Sequence, residues 1–127
     1  MLGKANASAN VAVHDIEIEI ARRFDQDTLG LTPVDAQGKE VIVFRSGDTL
    51  VNVYRSQYAG SNQATTVTWA VGDRVDAIAR ALREKGVAYE HYDMPGTTLE
   101  GDVHVGHGMR IAWFKDPDGN ILNLISS

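Results

Sequence analysis

The chain contains no cysteine among its 127 residues. That absence excludes disulfide bonds, thiolate metal sites and a cysteine nucleophile. Long apolar runs are missing as well, so no segment has the length of a bilayer-spanning helix, and the first ten residues show no apolar core of a signal peptide. We therefore expect a cytoplasmic protein.

Positive charge is also scarce, with 12 Lys and Arg against 17 Asp and Glu and a formal net charge of −5. No basic cluster offsets this balance locally, so nucleic acids and anionic membranes are poor partners. Hydrophobic residues make up 43% of the chain, which is typical of a folded domain. The length predicts a single domain over residues 1–127.

The first half of the chain shows strand and helix patterns in turn. Period-two or continuously apolar segments predict strands at Ala9–Val13, Glu40–Phe44 and Thr49–Tyr54. A four-residue spacing predicts a helix between Asp15 and Thr28. The apolar stripe of that helix consists of Ile16, Ile20 and Phe24.

The second half repeats this order. A helix is predicted between Asp73 and Gly86, and the segment Asp93–Gly108, rich in Gly and His, is predicted to be a long loop. The turn Asp116-Pro117-Asp118-Gly119 joins the last two strands. The strands predicted in this half are Thr65–Val71, Val87–Tyr92, Arg110–Lys115 and Asn120–Ile125.

Short matches between the halves indicate an internal duplication. Val13-His14-Asp15 corresponds to Val71-Gly72-Asp73, and Leu50-Val51-Asn52-Val53 corresponds to Ile121-Leu122-Asn123-Leu124. We predict an α+β fold of two βαβββ modules, one over about residues 5–58 and the other over about 63–127. Their mixed sheet is expected to curve into a cup with the helices on its outer face.

These features resemble the vicinal oxygen chelate superfamily, which comprises glyoxalases, bleomycin-resistance proteins and extradiol dioxygenases. The resemblance covers nearly the whole chain. Its most specific segments are the motif from Trp113 to Asn120 (WFKDPDGN) and the segment from Ala21 to Phe24 (ARRF) before Asp27–Leu31. The paired strand ends at Asp15 and Asp73 add to it, whereas Asp25 stands where most relatives have an aromatic residue.

The resemblance implies four metal-ligand positions, one on the first and one on the last strand of each module. Enzymes of the superfamily usually carry His or Glu there. A two-residue insertion in the first helix segment leaves open whether Ser8 or Asn10 is the first of these positions. The others are Asn52, Thr66 and Asn123.

Hydroxyl and amide groups are neutral donors that compete poorly with water for Zn, Ni or Fe(II). We therefore expect no bound metal and no other cofactor. The same groups donate and accept hydrogen bonds, which suits an organic ligand. Alternation along the strands adds Thr68 to this surface, and the aromatic side chains Tyr54, Trp113, Tyr89 and Tyr92 are candidates for stacking on a planar compound.

The histidines leave a different interpretation open. His104 and His107 lie in the predicted loop, where they would bind a metal, act as a general base or simply be solvated. The solvated state is the simplest, because no carboxylate or third histidine stands at a fixed spacing. His107 remains a candidate ligand-binding residue.

The leading hypothesis is a metal-free small-molecule binding protein, similar to the bleomycin-resistance proteins that confer antibiotic resistance by sequestration. It would hold an aromatic or amphipathic compound in the cup and, as the resemblance implies, form a homodimer. Whether the protein is an enzyme stays open. The alternatives are a glyoxalase-like lyase, isomerase or dioxygenase with displaced metal ligands, and an enzyme that uses acid and base groups without a metal.

Overall fold

The structure, a computed structural model, describes residues 2–14, 19–37 and 40–127, except for the side chains of 36 and 37. Contacts divide the chain into two units, Met1–Ser61 (unit 1) and Asn62–Ser127 (unit 2). Each unit combines helix with a mixed sheet. The predicted α+β class with repeated βαβββ modules is therefore confirmed. Neither α-helix in the described ranges has the length and apolar character needed to cross a bilayer.

Unit 1 follows the order strand, helix and three strands. The unit begins with a short 3₁₀ turn at Leu2–Lys4. Further along, its helix α1 continues directly into a π-helical turn at Phe24–Thr28. The elements are β1 (Ala9–Val13), α1 (Glu19–Arg23), β2 (Thr32–Gln37), β3 (Val41–Ser46) and β4 (Thr49–Arg55).

The sheet of unit 1 has the strand order β1-β4-β3-β2. The pair β1 and β4 is parallel, and the other two pairs are antiparallel. Because side chains alternate along a strand, the register places one set of apolar residues on a common face. All of that set are buried: Val11, Val13, Ile42, Phe44, Val51 and Val53.

Two sequence expectations for unit 1 need correction. The strand β2 lies in a segment for which the sequence patterns predicted no strand; it is an edge strand with an irregularity between Pro33 and Asp35, a place where proline is tolerated. In the helix, Ile20 is 59% exposed and the buried positions are Ala21 and Asp25. The buried face is thus turned by one residue, about 100°. The predicted helix start at residues 15 and 16 lies outside the described residues.

Unit 2 has one helix and six strands. A 3₁₀ turn at Gly72–Arg74 leads into the helix. The elements are β5 (Thr65–Ala70), α2 (Val75–Glu84), β6 (Tyr89–Glu90), β7 (Thr98–Glu100), β8 (Val103–Gly106), β9 (Met109–Lys115) and β10 (Ile121–Ile125).

The sheet of unit 2 has the strand order β5-β10-β9-β8-β7, and β6 also pairs with β9. Only β5 and β10 are parallel. Helix α2 contacts β8, β9 and β10. The apolar residues buried in the helix and in the sheet include Val75, Ala79, Leu82, Val103, Ala112, Phe114, Leu122 and Leu124.

The prediction of a long loop at Asp93–Gly108 is wrong. It contains β7 and β8, and β8 turns back into β9 through the two-residue turn His107-Gly108. Both turn residues have positive φ, 53° and 73°, as a tight hairpin of this kind requires. The predicted strand Val87–Tyr92 is reduced to Tyr89–Glu90, because the chain leaves the sheet after Glu90.

The predicted turn at Asp116–Gly119 is confirmed, and Asp116 organises it. Its Oδ1 accepts from the backbone N–H groups of Asp118 and Asn120, each at 2.9 Å, and its Oδ2 accepts from Asn120 Nδ2 at 2.8 Å. Burial raises the pKa of the Asp116 carboxyl, while the hydrogen bonds from Asn120 oppose that shift. This turn sets the register in which β9 and β10 pair.

Tyr89 offers a test of how β6 is fixed to α2. Its hydroxyl donates to the Ala79 carbonyl at 2.8 Å, and burial raises its pKa to about 12 against a small lowering by Arg83. Tyr89→Phe should lower the free energy of unfolding by about 1 kcal/mol at neutral pH. The folded protein favours the neutral phenol, so this advantage is complete below pH 10 and is lost as pH rises towards 12.

The measurement is urea unfolding of both proteins from pH 7 to pH 11.5. Tyr58→Phe is the matched control, because Tyr58 is exposed. A stability difference for Tyr89→Phe that does not shrink at high pH would contradict this account.

Candidate functional site

A pocket of about 290 Å³ lies in unit 2. It is formed by the start of β5, the segment after β6, and residues of β9 and β10. We call it the aromatic pocket, because Tyr92 and Trp113 are its largest side chains. Its full lining is Gln63, Ala64, Thr65, Tyr92, Asp93, Met94, Trp113 and Ile121.

The pleat of β9 directs Trp113 towards this pocket. Phe114 is fully buried and its ring meets that of Tyr89, whose hydroxyl reaches α2. Since successive side chains point to opposite faces, Trp113 projects from the face away from the helix. We call this the pocket face of unit 2. The register adds further residues to it: His104 and Ile111, which are partners, and Asn123, the partner of Trp113.

The Trp113 ring is fixed by three neighbours. The Tyr92 ring meets it edge to face at a centroid distance of 5.2 Å and an angle of 85°. The His104 ring meets it at 4.8 Å and 86°. The indole Nε1–H donates to Thr65 Oγ1 at 3.2 Å across β10. Perpendicular aromatic contacts of this kind are favourable, so the Tyr92 and Trp113 rings form a rigid corner of the pocket, which we call the aromatic corner.

Asn123 is a buried polar residue of the pocket face. It is 7% exposed, and among the described residues its Oδ1 has no hydrogen-bond partner. Its register partners are Trp113 on β9 and Thr68 on β5. Thr66 has no register partner on β10, because the pairing shifts between Ile121 and Leu122. The structure thus puts Thr68 rather than Thr66 opposite Asn123.

Unit 1 holds a second polar cluster. The Asn52 amide Nδ2 donates to Ser8 Oγ and to Asn10 Oδ1, both at 3.3 Å, which is long for such bonds. Both residues that the sequence left as alternatives therefore meet Asn52. Leu50 and Tyr54 flank Asn52 at two-residue spacing on β4, and both are exposed. This surface combines neutral polar groups with an exposed tyrosine.

The donors at the positions where the resemblance implies metal ligands do not fit a transition metal. Hydroxyl and carboxamide groups carry no charge and bind such ions weakly. In the described ranges, no group of three or more His, Asp or Glu side chains is placed to hold a metal ion.

His104 and His107 do not lie in a solvated loop together. His104 is 2% exposed within β8, and its Nε2 lies 3.0 Å from the Tyr92 amide nitrogen and 3.1 Å from the Tyr92 carbonyl oxygen. His107 is exposed in the β8–β9 turn, where its Nε2 lies 3.0 Å from the Pro95 carbonyl oxygen. His107 does not line the aromatic pocket. The solvated interpretation of His104 is wrong because β7 and β8 fold this segment into the sheet.

Of the residues that the sequence indicates as ligand-binding or stacking candidates, Trp113 and Tyr92 line the aromatic pocket. Gln63, Asp93 and Met94 were missed, because they stand in irregular segments whose spacing carries no signal of their position. The Gly-rich composition around residues 93–108 concealed the hairpin that brings His104 under Trp113.

Comparison with family models and with curated protein sequences gives no match. Solved structures, in contrast, match over almost the whole chain. A member of the glyoxalase/bleomycin resistance protein/dioxygenase superfamily from Sphaerobacter thermophilus is 23% identical with a TM-score of 0.68, covering 98% of each chain. Lactoylglutathione lyase from Agrobacterium tumefaciens is 18% identical with a TM-score of 0.67, covering 96% of this chain and 94% of its own.

The fosfomycin resistance protein FosX from Mesorhizobium loti is 15% identical with a TM-score of 0.70, covering 98% of this chain and 92% of its own. At such identities the likeness concerns the fold. The chain therefore has the fold found in the glyoxalase/bleomycin resistance protein/dioxygenase superfamily, and the fold that the resemblance implies is confirmed. Proteins of this fold serve different functions, as the lyase and the resistance protein illustrate.

Thr65→Val tests whether the hydrogen bond to Trp113 fixes the indole ring. The variant keeps the side-chain volume and leaves Nε1 to water, so we expect a loss of about 0.5–1 kcal/mol in unfolding free energy. The near-ultraviolet circular dichroism of Trp113 should weaken because its ring is less fixed, measured in a Trp69→Phe background. Thr66→Val is the control. Equal spectra for Thr65→Val and its parent would contradict the role.

Proposed function

We propose that this protein binds a small planar aromatic or amphipathic compound in the aromatic pocket of unit 2, without a metal. The observation that carries the proposal is the perpendicular arrangement of Tyr92 and Trp113 on the pocket wall. A planar ring that stacks on one of these rings presents its edge to the other, so both contacts have favourable geometry.

The size of the pocket limits the ligand. At about 290 Å³ it lies near the lower end of the range of roughly 300–1,000 Å³ that is common for small-molecule sites. One aromatic ring or two fused rings fit such a volume. A larger compound would place only its aromatic part there. Ile121 and Met94 supply the apolar surface that such a ring covers.

Asn123 adds a polar requirement. Its Oδ1 is a buried acceptor without a partner in the described residues, and an unpaired buried acceptor costs free energy. Asn123 lies directly across from Trp113 on the pocket face. Asn123 does not itself line the pocket, so a ligand would satisfy this oxygen only with an O–H or N–H group that extends beyond the lining, past Trp113. We therefore favour phenol-like or amine-bearing aromatic compounds over pure hydrocarbons.

Sequestration explains these features better than turnover does. The positions where the resemblance implies metal ligands carry neutral side chains, and these are suited to hydrogen bonding. The solved structures of this fold include a lyase and a fosfomycin resistance protein, so the fold accommodates small-molecule sites of different chemistry. A binding role like that of the bleomycin-resistance proteins requires only a fitted pocket.

The experiment is a fluorescence titration of the Trp69→Phe protein, in which Trp113 is the remaining tryptophan. The probe is 1-naphthol, which has two fused rings and one O–H donor. We expect saturable quenching of Trp113, and we expect isothermal titration calorimetry to show that Trp113→Leu in the otherwise native chain loses the binding. The Trp69→Phe protein must itself bind as the native chain does. Absence of saturable binding, or a stoichiometric transition metal in the purified protein, would contradict the proposal.

A second measurement tests Asn123. 1-Methoxynaphthalene has the same rings as 1-naphthol but no donor. The native protein should prefer 1-naphthol by roughly fivefold, as a net hydrogen bond of about 1 kcal/mol implies. Asn123→Leu should remove this preference while the melting temperature stays the same or rises, because a buried unpaired oxygen is removed. An unchanged preference in this variant would rule out Asn123 as the acceptor.

A further inference from the structure

The pocket wall depends on a segment that has left the sheet. After β6 ends at Glu90, the chain continues through His91–Thr97 without pairing to a strand. This segment provides Tyr92, Asp93 and Met94 to the aromatic pocket. A wall of this kind keeps its place only where other contacts hold it.

Three histidine side chains are among those contacts. His91 Nε2 lies 2.7 Å from Asp102 Oδ1, and Oδ2 of the same carboxylate pairs with Arg83. His107 Nε2 lies 3.0 Å from the Pro95 carbonyl oxygen. Both of these histidines are exposed, so water competes for their hydrogen bonds.

The third contact is buried. His104 Nε2 faces both polar backbone atoms of Tyr92, at 3.0 Å from the amide nitrogen and 3.1 Å from the carbonyl oxygen. When the proton is on Nδ1, Nε2 accepts from the Tyr92 N–H; when the proton is on Nε2, it donates to the Tyr92 carbonyl. The imidazole therefore holds the Tyr92 backbone in either tautomer.

The same ring supports the other aromatic wall. His104 meets Trp113 edge to face at 4.8 Å, while Trp113 meets the Tyr92 ring at 5.2 Å. One buried side chain thus contacts both residues of the aromatic corner. A side chain that merely filled the core would need no hydrogen bond to Tyr92, and a nonpolar residue there would avoid the unpaired Nδ1 that His104 carries within the described structure.

We propose that His104 is the positioning residue of the aromatic pocket, holding Tyr92 at a right angle to Trp113 before a ligand arrives. This inference rests on the proposed function, since it concerns the affinity of the same pocket. A wall that is already in place does not have to be ordered when the ligand binds, so less affinity is lost to ordering.

Three variants separate the hydrogen bond from the bulk of the side chain. His104→Gln places an amide, with one donor and one acceptor, at about the distance of Nε2, so it can still hold Tyr92. His104→Asn carries the same amide on a chain one methylene shorter and cannot reach. His104→Phe keeps a ring against Trp113 but has no hydrogen-bonding atom.

We expect His104→Gln to bind 1-naphthol within about threefold of the native protein. His104→Asn and His104→Phe should lose roughly tenfold, which corresponds to about 1.4 kcal/mol. The melting temperature of His104→Phe should not fall in proportion to its loss of affinity for 1-naphthol, because a nonpolar ring fits a buried position. Native-like binding by both folded variants would overturn the proposal; if His104→Phe does not fold, the Gln and Asn pair decides.

A ligand-free measurement distinguishes failure of this inference from failure of the proposed function. In the Trp69→Phe background, acrylamide quenching reports how well the Tyr92 wall covers Trp113. Quenching should increase in His104→Asn and His104→Phe and stay native-like in His104→Gln. If no probe binds, the proposed function fails. The quenching measurement still supports or overturns the role of His104. Equal quenching in all four proteins would overturn it.

Discussion

The alternation of side chains along β9 is the constraint on which the aromatic pocket depends. Phe114 is buried against Tyr89 on the helix side of unit 2. Because successive side chains point to opposite faces, Trp113 must lie on the other face. A shift of one residue would exchange the two rings and remove the pocket wall. The Asp116 turn prevents such a shift, because its hydrogen bonds fix how β9 and β10 pair.

Buried polar groups lie around Trp113 at positions where nonpolar side chains would make the core more stable. His104 Nδ1 and Asn123 Oδ1 are both buried and have no partners in the described part of the chain. Each costs free energy when left unpaired. Their position on one face, on the two strands that flank β9, is consistent with a site that exchanges some stability for recognition.

The fold and the side chains of the site give different information about the function of this protein. The solved structures show that this architecture supports a lyase and a fosfomycin resistance protein. In the present chain, the positions where the resemblance implies metal ligands bear hydroxyl and amide groups. Among these, the Asn52 amide donates to both Ser8 and Asn10. Function therefore has to be inferred from these side chains, which both donate and accept hydrogen bonds.

The sequence by itself determined the class of fold, the duplication and the strands with clear alternation such as β1 and β4. These follow from local periodicity, which has a physical basis within a few residues of chain. Only the tertiary structure decided that His104 is buried, that Thr68 stands opposite Asn123, and that the segment after β6 forms a pocket wall. Those features depend on strand pairing between distant residues and on a register shift, and neither leaves a periodic trace in the sequence.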